Sequence, residues 1–354
     1  MSRADRRRAA KLAGKSKPHA DITALKADAH ARYKAGDLAG ARVVLKRVLR
    51  QTPKDPAALN FAALLAHETG DFETAADHFE TAHALAPAAA TENALAETLR
   101  SAMMAALTPK DAKKVPQFAE RLLAVRPRSL EAAAMQALAL TQTGQRDQAD
   151  AALGIDALVE VQDFDPPTGW ATIADFNHDL ADEIAGDPSM AVPDASHPTY
   201  HNRHLKITAP LDITRKGPVE KLTEMIEAAV ADYRAKRAGL DHPFLQRWPE
   251  ASGLEAWGTL LEGEGTVDAH IHLEGYLGMV YYPELPPEVS EGQGWLELGR
   301  PPEDFPLPMN DPIVKLLEPK PGRLVLFPGY MFHRTTPFKS SHRRISIAYD
   351  VVAR

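Results

Sequence analysis

Hydrophobic positions are organised differently in the two halves of the chain. Residues 21–155 are rich in Ala and Leu and poor in aromatic side chains, a composition that favours helices. From Leu254 onward, short runs rich in Val, Ile and Tyr are separated by Gly and Pro turns, which is typical of strands. All four Trp residues lie beyond residue 160. The sequence therefore predicts a helical domain over 21–155 and a strand-rich domain over 156–354.

The helical half contains an internal repeat. Gly36-Asp37-Leu38 recurs as Gly70-Asp71-Phe72, and a weaker copy begins at Gly144. Pro53 and Pro87, which close the two clear units, are as far apart in sequence as Gly36 and Gly70. An Ala also follows each of the three glycines at the same distance along the chain: Ala41, Ala75 and Ala149. A unit made of a helix, a Gly-Asp turn, a second helix and a Pro break, repeated at the spacing between Gly36 and Gly70, resembles the tetratricopeptide repeat. We expect about three to four such repeats.

The second half begins with helical periodicity and continues with strands. Phe176–Ile184 and Val219–Lys236 are predicted helices. Short strands with turn punctuation indicate a sandwich or barrel. The predicted fold class is α+β multidomain: an N-terminal α-solenoid of tetratricopeptide-like repeats, then a double-stranded β-helix (jelly roll) with buttressing helices. The predicted strands are 255–262, 269–274, 277–282, 294–298, 323–327 and 343–352.

Composition excludes several classes of site. The chain has no Cys, so disulfides, thiol catalysis and Cys-based metal sites are ruled out. It lacks an apolar run of about 18 residues, so no membrane span is expected, and we place the protein in the cytoplasm. Residues 1–20 hold seven Lys or Arg against one Asp, although the whole chain carries a net charge of −7. We interpret 1–20 as a basic disordered tail and do not expect a nucleic-acid partner.

Candidate metal ligands lie in His270-Ile271-His272-Leu273-Glu274 and at His333. On a strand, residues two apart share a face, so the first segment offers up to three ligands on one side. His333 follows the apolar run ending in Phe327-Pro328-Gly329, and is the natural ligand from a distant strand. Two His and a carboxylate on one face of an octahedron are typical of non-haem iron oxygenases.

Arg344 and Ser346 are candidates for binding a dicarboxylic acid. They alternate along Arg344–Tyr349 and therefore share a face, on which the guanidinium can clamp a carboxylate and the hydroxyl can add a second donor. 2-Oxoglutarate would be held in this way, with Fe(II) as the metal. Tyr282 faces the side of His270 by alternation, and either binds the co-substrate or fills the barrel.

These motifs give the second domain a family resemblance. His270–Tyr282, Gly322–Pro328 followed by His333, and Arg344–Asp350 resemble the motifs of the 2-oxoglutarate/Fe(II) oxygenases, which also occur behind tetratricopeptide repeats. The resemblance covers about 156–354 and implies Fe(II) and 2-oxoglutarate as cofactors. The sequence departs from the family at Leu273, where a Pro is usual, and at Gly278-Met279, where Ser-Gly is usual.

Two registers remain open for the metal ligands. In the first, His270 and His272 match the family's H-x-H and bind the metal together with His333. In the second, His272 and Glu274 form the His-x-Glu pair of the wider superfamily. Replacing His272 and Glu274 separately would distinguish the two.

The resemblance implies a dioxygenase that hydroxylates a C–H bond and releases succinate and CO2, with 2-oxoglutarate and O2 as co-substrates. The repeats suggest a protein or peptide substrate. Two alternatives stay open: a non-catalytic repeat scaffold with a vestigial jelly-roll domain, and a cupin-type enzyme that does not use 2-oxoglutarate. Arg344 and Ser346 argue against the second alternative, because such enzymes need no dicarboxylate clamp.

Overall fold

The computed structural model of the protein describes residues 21–193, 204–287, 290–306 and 311–354. The predicted basic tail, 1–20, lies outside these residues. By their internal contacts, the residues separate into two compact units, Met1–Ala102 and Met103–Arg354. The boundary between the units thus falls inside the helical half, whereas the change in composition falls near residue 155. None of the described helices combines the length and apolar character that crossing a membrane requires.

The chain begins with a series of helices in both units. Aspartates cap several of their N-termini, and the side chains of Asp37 and Asp55 accept hydrogen bonds from the backbone N–H groups of Gly40 and Ala58. The helices are α1 Ile22–Lys34, α2 Leu38–Gln51, α3 Pro56–Glu68, α4 Phe72–Leu85, α5 Ala89–Ala105, α6 Val115–Val125, α7 Leu130–Gln142, α8 Arg146–Leu153 and the short α9 Ile155–Leu158, with a 3-10 turn at Ala112–Lys114.

The repeated Gly and Ala positions have the same structural role in each copy. Gly36, Gly70 and Gly144 adopt φ values of 78°, 75° and 77°, a conformation that side chains disfavour, and each ends its helix in a tight turn. The Ala that follows at the fixed offset is fully buried in all three copies: Ala41, Ala75 and Ala149. A small residue here lets the helix backbones approach each other closely.

The rest of the second unit is built on two antiparallel sheets. The strands are β1 Glu160–Asp163, β2 Leu205–Ile207, β3 Ser252–Leu261, β4 Glu264–His270, β5 Gly275–Glu284, β6 Leu296–Leu298, β7 Lys315–Leu317, β8 Arg323–Pro328, β9 His333–Lys339 and β10 Arg344–Ala353. A six-stranded sheet has the order β1-β8-β5-β10-β3-β2, and a four-stranded sheet has the order β4-β9-β6-β7.

Two helices cover one face of the six-stranded sheet. They are α10, Ile173–Ala185, and α11, Pro218–Lys236; a short helix, α12, covers Pro243–Gln246. Buried hydrogen bonds join them to the sheet: Tyr281 donates to the Asn177 side chain at 2.6 Å, and the Tyr349 and Thr223 hydroxyls are 2.9 Å apart. Because Tyr349 faces the helices, the alternate positions of β10 face the other sheet. The two helices predicted in the second half are thus confirmed. The predicted order of a helical region followed by an antiparallel-sheet domain is confirmed as well.

The predicted strand over 269–274 is wrong beyond His270. Strand β4 ends at His270, and β5 begins at Gly275 in the other sheet. Residues 271–274 are therefore the crossing between the two sheets, so His270, His272 and Glu274 do not share one strand face. Irregular pairing of β4 with β9 precedes the crossing.

Candidate metal centre

A cavity of about 540 Å³ lies between the two sheets. One wall consists of β3, β5 and β10, and the other of β4, β6 and β9. About half of the lining side chains are apolar, and two groups of polar side chains stand out among the others. A volume of this size suits a small organic ligand together with part of a second molecule.

The first polar group comprises His270, His272 and His333. One ring nitrogen from each lies within 4.8 Å of the other two. His270 and His333 meet because they are register partners in the β4–β9 pair, and His272 joins them from the crossing segment. Glu274 is exposed and does not belong to this cluster. The arrangement therefore offers three imidazole ligands, which suit a divalent first-row metal.

Each of the three rings is oriented by a hydrogen bond at its own Nδ1 atom. Nδ1 of His270 lies 2.8 Å from the Asp268 carbonyl, and Nδ1 of His333 lies 3.1 Å from the Met331 carbonyl. Nδ1 of His272 lies 2.5 Å from the Asp350 carboxylate. Since all three partners accept hydrogen bonds, each Nδ1 carries the proton, and each Nε2 keeps its lone pair for a metal.

Burial keeps His270 and His333 neutral. Burial, and to a smaller extent the neighbouring His272, lowers the pKa of His270 to about 4. The pKa of His333 falls well below its ordinary value for the same reasons, with burial the larger cause and His270 and His272 adding to it. Neutral imidazole is the form that binds a metal, so no proton has to be displaced near pH 7.

The metal-free protein should therefore lose stability in mild acid. Unfolded histidines take up protons near pH 6.5, whereas buried His270 and His333 do not, so the unfolded state binds more protons below that pH. We expect the free energy of unfolding to fall between pH 6.5 and about pH 4 by up to about 1.4 kcal/mol per pH unit for each histidine. Urea unfolding at several pH values measures this slope. A slope equally steep in His333→Ala would contradict this explanation.

Asp350 is a functional candidate that sequence reasoning missed. Its carboxylate is buried, with 5% of the residue exposed, and holds His272. Two glycines of β5 leave room for it: a Cβ on Gly275 would lie 2.2 Å from the carboxylate, and one on Gly278 would lie 3.4 Å from Nδ1 of His272. The signal was present in the alternation of β10, because the cavity-facing positions are Arg344, Ser346, Ala348, Asp350 and Val352.

The second polar group is centred on Arg344, which is 3% exposed. Its Nη1 donates to the Ser346 hydroxyl at 3.2 Å, and the guanidinium lies 5.2 Å from the centre of the Tyr282 ring. Nε of Arg344 and the Tyr282 hydroxyl are buried and have no hydrogen-bond partner among the residues that the structure describes. Thr259, also unforeseen, holds the Ser346 hydroxyl at 2.7 Å.

No carboxylate among the described residues pairs with Arg344. By contrast, its neighbour Arg343 lies on the opposite side of β10 and forms ion pairs with Glu284 and Asp182. A buried guanidinium without an acidic partner is costly, and an anionic ligand satisfies it. The cavity thus combines a site for a divalent metal with a site for a small acid.

Residues 255–350 match the model of a protein family described as "Putative 2OG-Fe(II) oxygenase". The match spans β3 to β10 and includes every residue of both polar groups. The second unit carries a 2-oxoglutarate/Fe(II) oxygenase domain. The oxygenase domain uses Fe(II) and 2-oxoglutarate, with O2 as the second co-substrate. The three histidines and the buried arginine are chemically suited to these two groups.

Solved structures similar to the chain include a prolyl-4-hydroxylase from Pseudomonas putida, with 17% identity and a TM-score of 0.38 over 58% of this chain and 98% of that one. Another is a prolyl hydroxylase from Trichoplax adhaerens in complex with a peptide fragment of the hypoxia inducible factor oxygen degradation domain, with 15% identity and a TM-score of 0.40 over 60% of this chain and 91% of that one. No curated protein matches the chain.

Replacing Asp350 should weaken metal binding although the residue is not a ligand in the arrangement described. Asp350→Ala removes the acceptor that orients His272, and such losses cost about 10- to 100-fold in metal affinity. Asp350→Asn should cost less, because its amide oxygen still accepts from Nδ1 of His272. Titration of the metal-free protein with Co(II), followed by visible absorption, measures the affinities. Equal affinities for wild type and Asp350→Ala would contradict the role of Asp350.

Proposed function

We propose that the chain is a dioxygenase that hydroxylates a C–H bond of a protein or peptide. One oxygen atom of O2 enters the product, and the other enters succinate as 2-oxoglutarate loses CO2. The observation that carries the proposal is the meeting, in one cavity of the oxygenase domain, of three histidines with a buried arginine that has no acidic partner among the described residues.

We assign the metal ligands to Nε2 of His270, His272 and His333. The orientation of their Nδ1 atoms supports this set, and the exposure of Glu274 argues against the His272–Glu274 register. The set contains three neutral ligands and no carboxylate. The Asp350 carboxylate supplies a negative charge next to this set, because it is hydrogen-bonded to Nδ1 of His272.

We assign the 2-oxoglutarate site to Arg344, Ser346 and Tyr282. The guanidinium and the Ser346 hydroxyl donate hydrogen bonds to the distal carboxylate, and the Tyr282 hydroxyl adds a third donor. Bound Fe(II) supplies the activation of O2. The protein positions the co-substrate, keeps bulk water away with its apolar walls and holds the protons on the three Nδ1 atoms.

We also propose the finer fold assignments. The helices over 21–155 form tetratricopeptide-like repeats, and the equal φ values of Gly36, Gly70 and Gly144 support this. The two sheets over 156–354 form a double-stranded β-helix, since they are antiparallel and enclose a cavity.

Succinate formation tests the proposed function. The metal-free protein is supplied with Fe(II), 2-oxoglutarate and O2, and slow uncoupled release of succinate is expected even without substrate. Omitting Fe(II) should abolish it. If no succinate appears under any of these conditions, the chain is a scaffold rather than an enzyme.

A further inference from the structure

The cavity with the histidines is the first of three neighbouring cavities in the second unit, each of which shares lining residues with the next. A connecting cavity of about 370 Å³ shares Glu255, Leu273, Glu274 and Val352 with it. A third cavity of about 700 Å³, here called the helix cavity, shares Arg128, Leu130 and Tyr276 with the connecting cavity. The three cavities, here called the path, thus follow one another from the histidines to the helices α6, α7 and α8.

The helix cavity has a wall suited to apolar side chains. Helices α6 to α8 form one side, and Phe244, Tyr276 and Tyr330 form much of the other. Both tyrosine hydroxyls are engaged, because Tyr276 donates to the Phe244 carbonyl and Tyr330 to the Leu153 carbonyl. The two tyrosines therefore offer ring surface rather than free hydroxyls to a ligand.

Two arginines near Tyr276 line the helix cavity, and one of them, Arg128, also lines the connecting cavity. Burial raises the pKa of the Tyr276 hydroxyl, while the nearby guanidinium groups of Arg247 and Arg128 lower it. Neither arginine side chain has a hydrogen-bond or ion-pair partner in the part of the chain that the structure describes. Arg354 in the connecting cavity likewise has none.

Four acidic side chains line the helix cavity and the connecting cavity. Asp241 accepts a hydrogen bond from Gln246 at 2.6 Å, and Glu120 belongs to the helix wall. Glu255 and Glu274 lie towards the histidines, where the connecting cavity meets the first one. The path therefore has an unpaired cationic point near Tyr276 and an anionic stretch closer to the metal centre.

We infer that the substrate is an extended peptide segment that lies along the three cavities, with an acidic side chain bound between Arg128 and Arg247 and the residue to be oxidised at the histidines. The inference rests on the proposed function. Each cavity alone has the volume of a small-ligand site, and their succession along the unit fits an extended chain rather than a single small molecule. The apolar helix cavity receives the side chains beyond the acidic residue.

A degenerate peptide library arrayed on a membrane tests this without turnover. Full-length wild-type protein should enrich peptides that contain Asp or Glu next to apolar residues. The strongest binder is then measured by fluorescence anisotropy against the double variant Arg128→Glu/Arg247→Glu. We expect at least about tenfold weaker binding, the loss that removing one charge-assisted hydrogen bond brings. Lys216→Glu is the matched control, since Lys216 is exposed and outside the three cavities; it should bind as wild type does.

Succinate release separates failure of this inference from failure of the proposed function. The double variant should keep uncoupled succinate release, because neither arginine touches the histidines or Arg344. No enrichment of acidic residues, no peptide binding at all, or equal binding by the double variant would overturn the inference while succinate release upheld the oxygenase. Acidic-peptide binding without any succinate release would instead overturn the proposed function.

Discussion

His333→Ala should bind Fe(II) more than about 100-fold more weakly than wild type and should release no succinate. The loss of an outer hydrogen-bond partner alone costs about 10- to 100-fold, and the loss of a ligand costs more. His333 is the first residue of β9 and is 7% exposed, so neither solvent nor a neighbouring side chain replaces its Nε2. Metal affinity is measured by calorimetry on the metal-free protein.

The matched control is His178→Ala. His178 lies on α10, and 73% of its side chain is exposed. Its replacement should therefore leave metal affinity and succinate release unchanged. The fold of His333→Ala is checked by its thermal unfolding at pH 7.5. A folded His333→Ala that bound Fe(II) as tightly as wild type would disprove the ligand assignment.

Arg344→Met should separate co-substrate binding from stability. The variant is expected to raise the KM for 2-oxoglutarate at least about 30-fold, because removing one partner of a buried charged pair costs about 2–5 kcal/mol. It should also raise the free energy of unfolding of the metal-free protein by about 1–3 kcal/mol, since it removes a buried charge that has no acidic partner among the described residues. Steady-state kinetics and urea unfolding measure the two effects.

Two further variants sharpen this prediction. Arg344→Lys keeps the charge but loses the planar pair of donors, so its KM should lie between those of wild type and Arg344→Met. Arg343→Met removes an arginine that pairs with Glu284 and Asp182 outside the cavity, and should change the KM little. An unchanged KM in Arg344→Met would exclude Arg344 from the co-substrate site.

The helical half is predictable because its signals are local. A glycine in the left-handed conformation and an aspartate cap mark helix ends within a few residues, as at Gly36-Asp37. The alternation of β10 is equally local, and it placed Arg344 and Ser346 on one face. The same alternation puts Asp350 on that face. Its importance could not be seen in the sequence, because it depends on a hydrogen bond with His272, which lies just beyond the end of β4.

The segment from His270 to Glu274 could not be interpreted correctly from its pattern. Its alternation of polar and apolar residues is that of a strand, yet the chain leaves one sheet at His270 and enters the other at Gly275. This crossing depends on pairing with β9 and β10, far along the chain. It explains why His272 joins the cluster and Glu274 does not. The succession of the three cavities likewise arises only from tertiary packing.

Anaerobic titration of the wild-type protein with Fe(II) and 2-oxoglutarate tests the metal site and the co-substrate site together. If 2-oxoglutarate chelates the metal held by His270, His272 and His333, a weak visible charge-transfer band should appear only when both are present. The band should be absent in His333→Ala and should require far more 2-oxoglutarate in Arg344→Met. No band in the wild type, or an unchanged band in His333→Ala, would contradict the account.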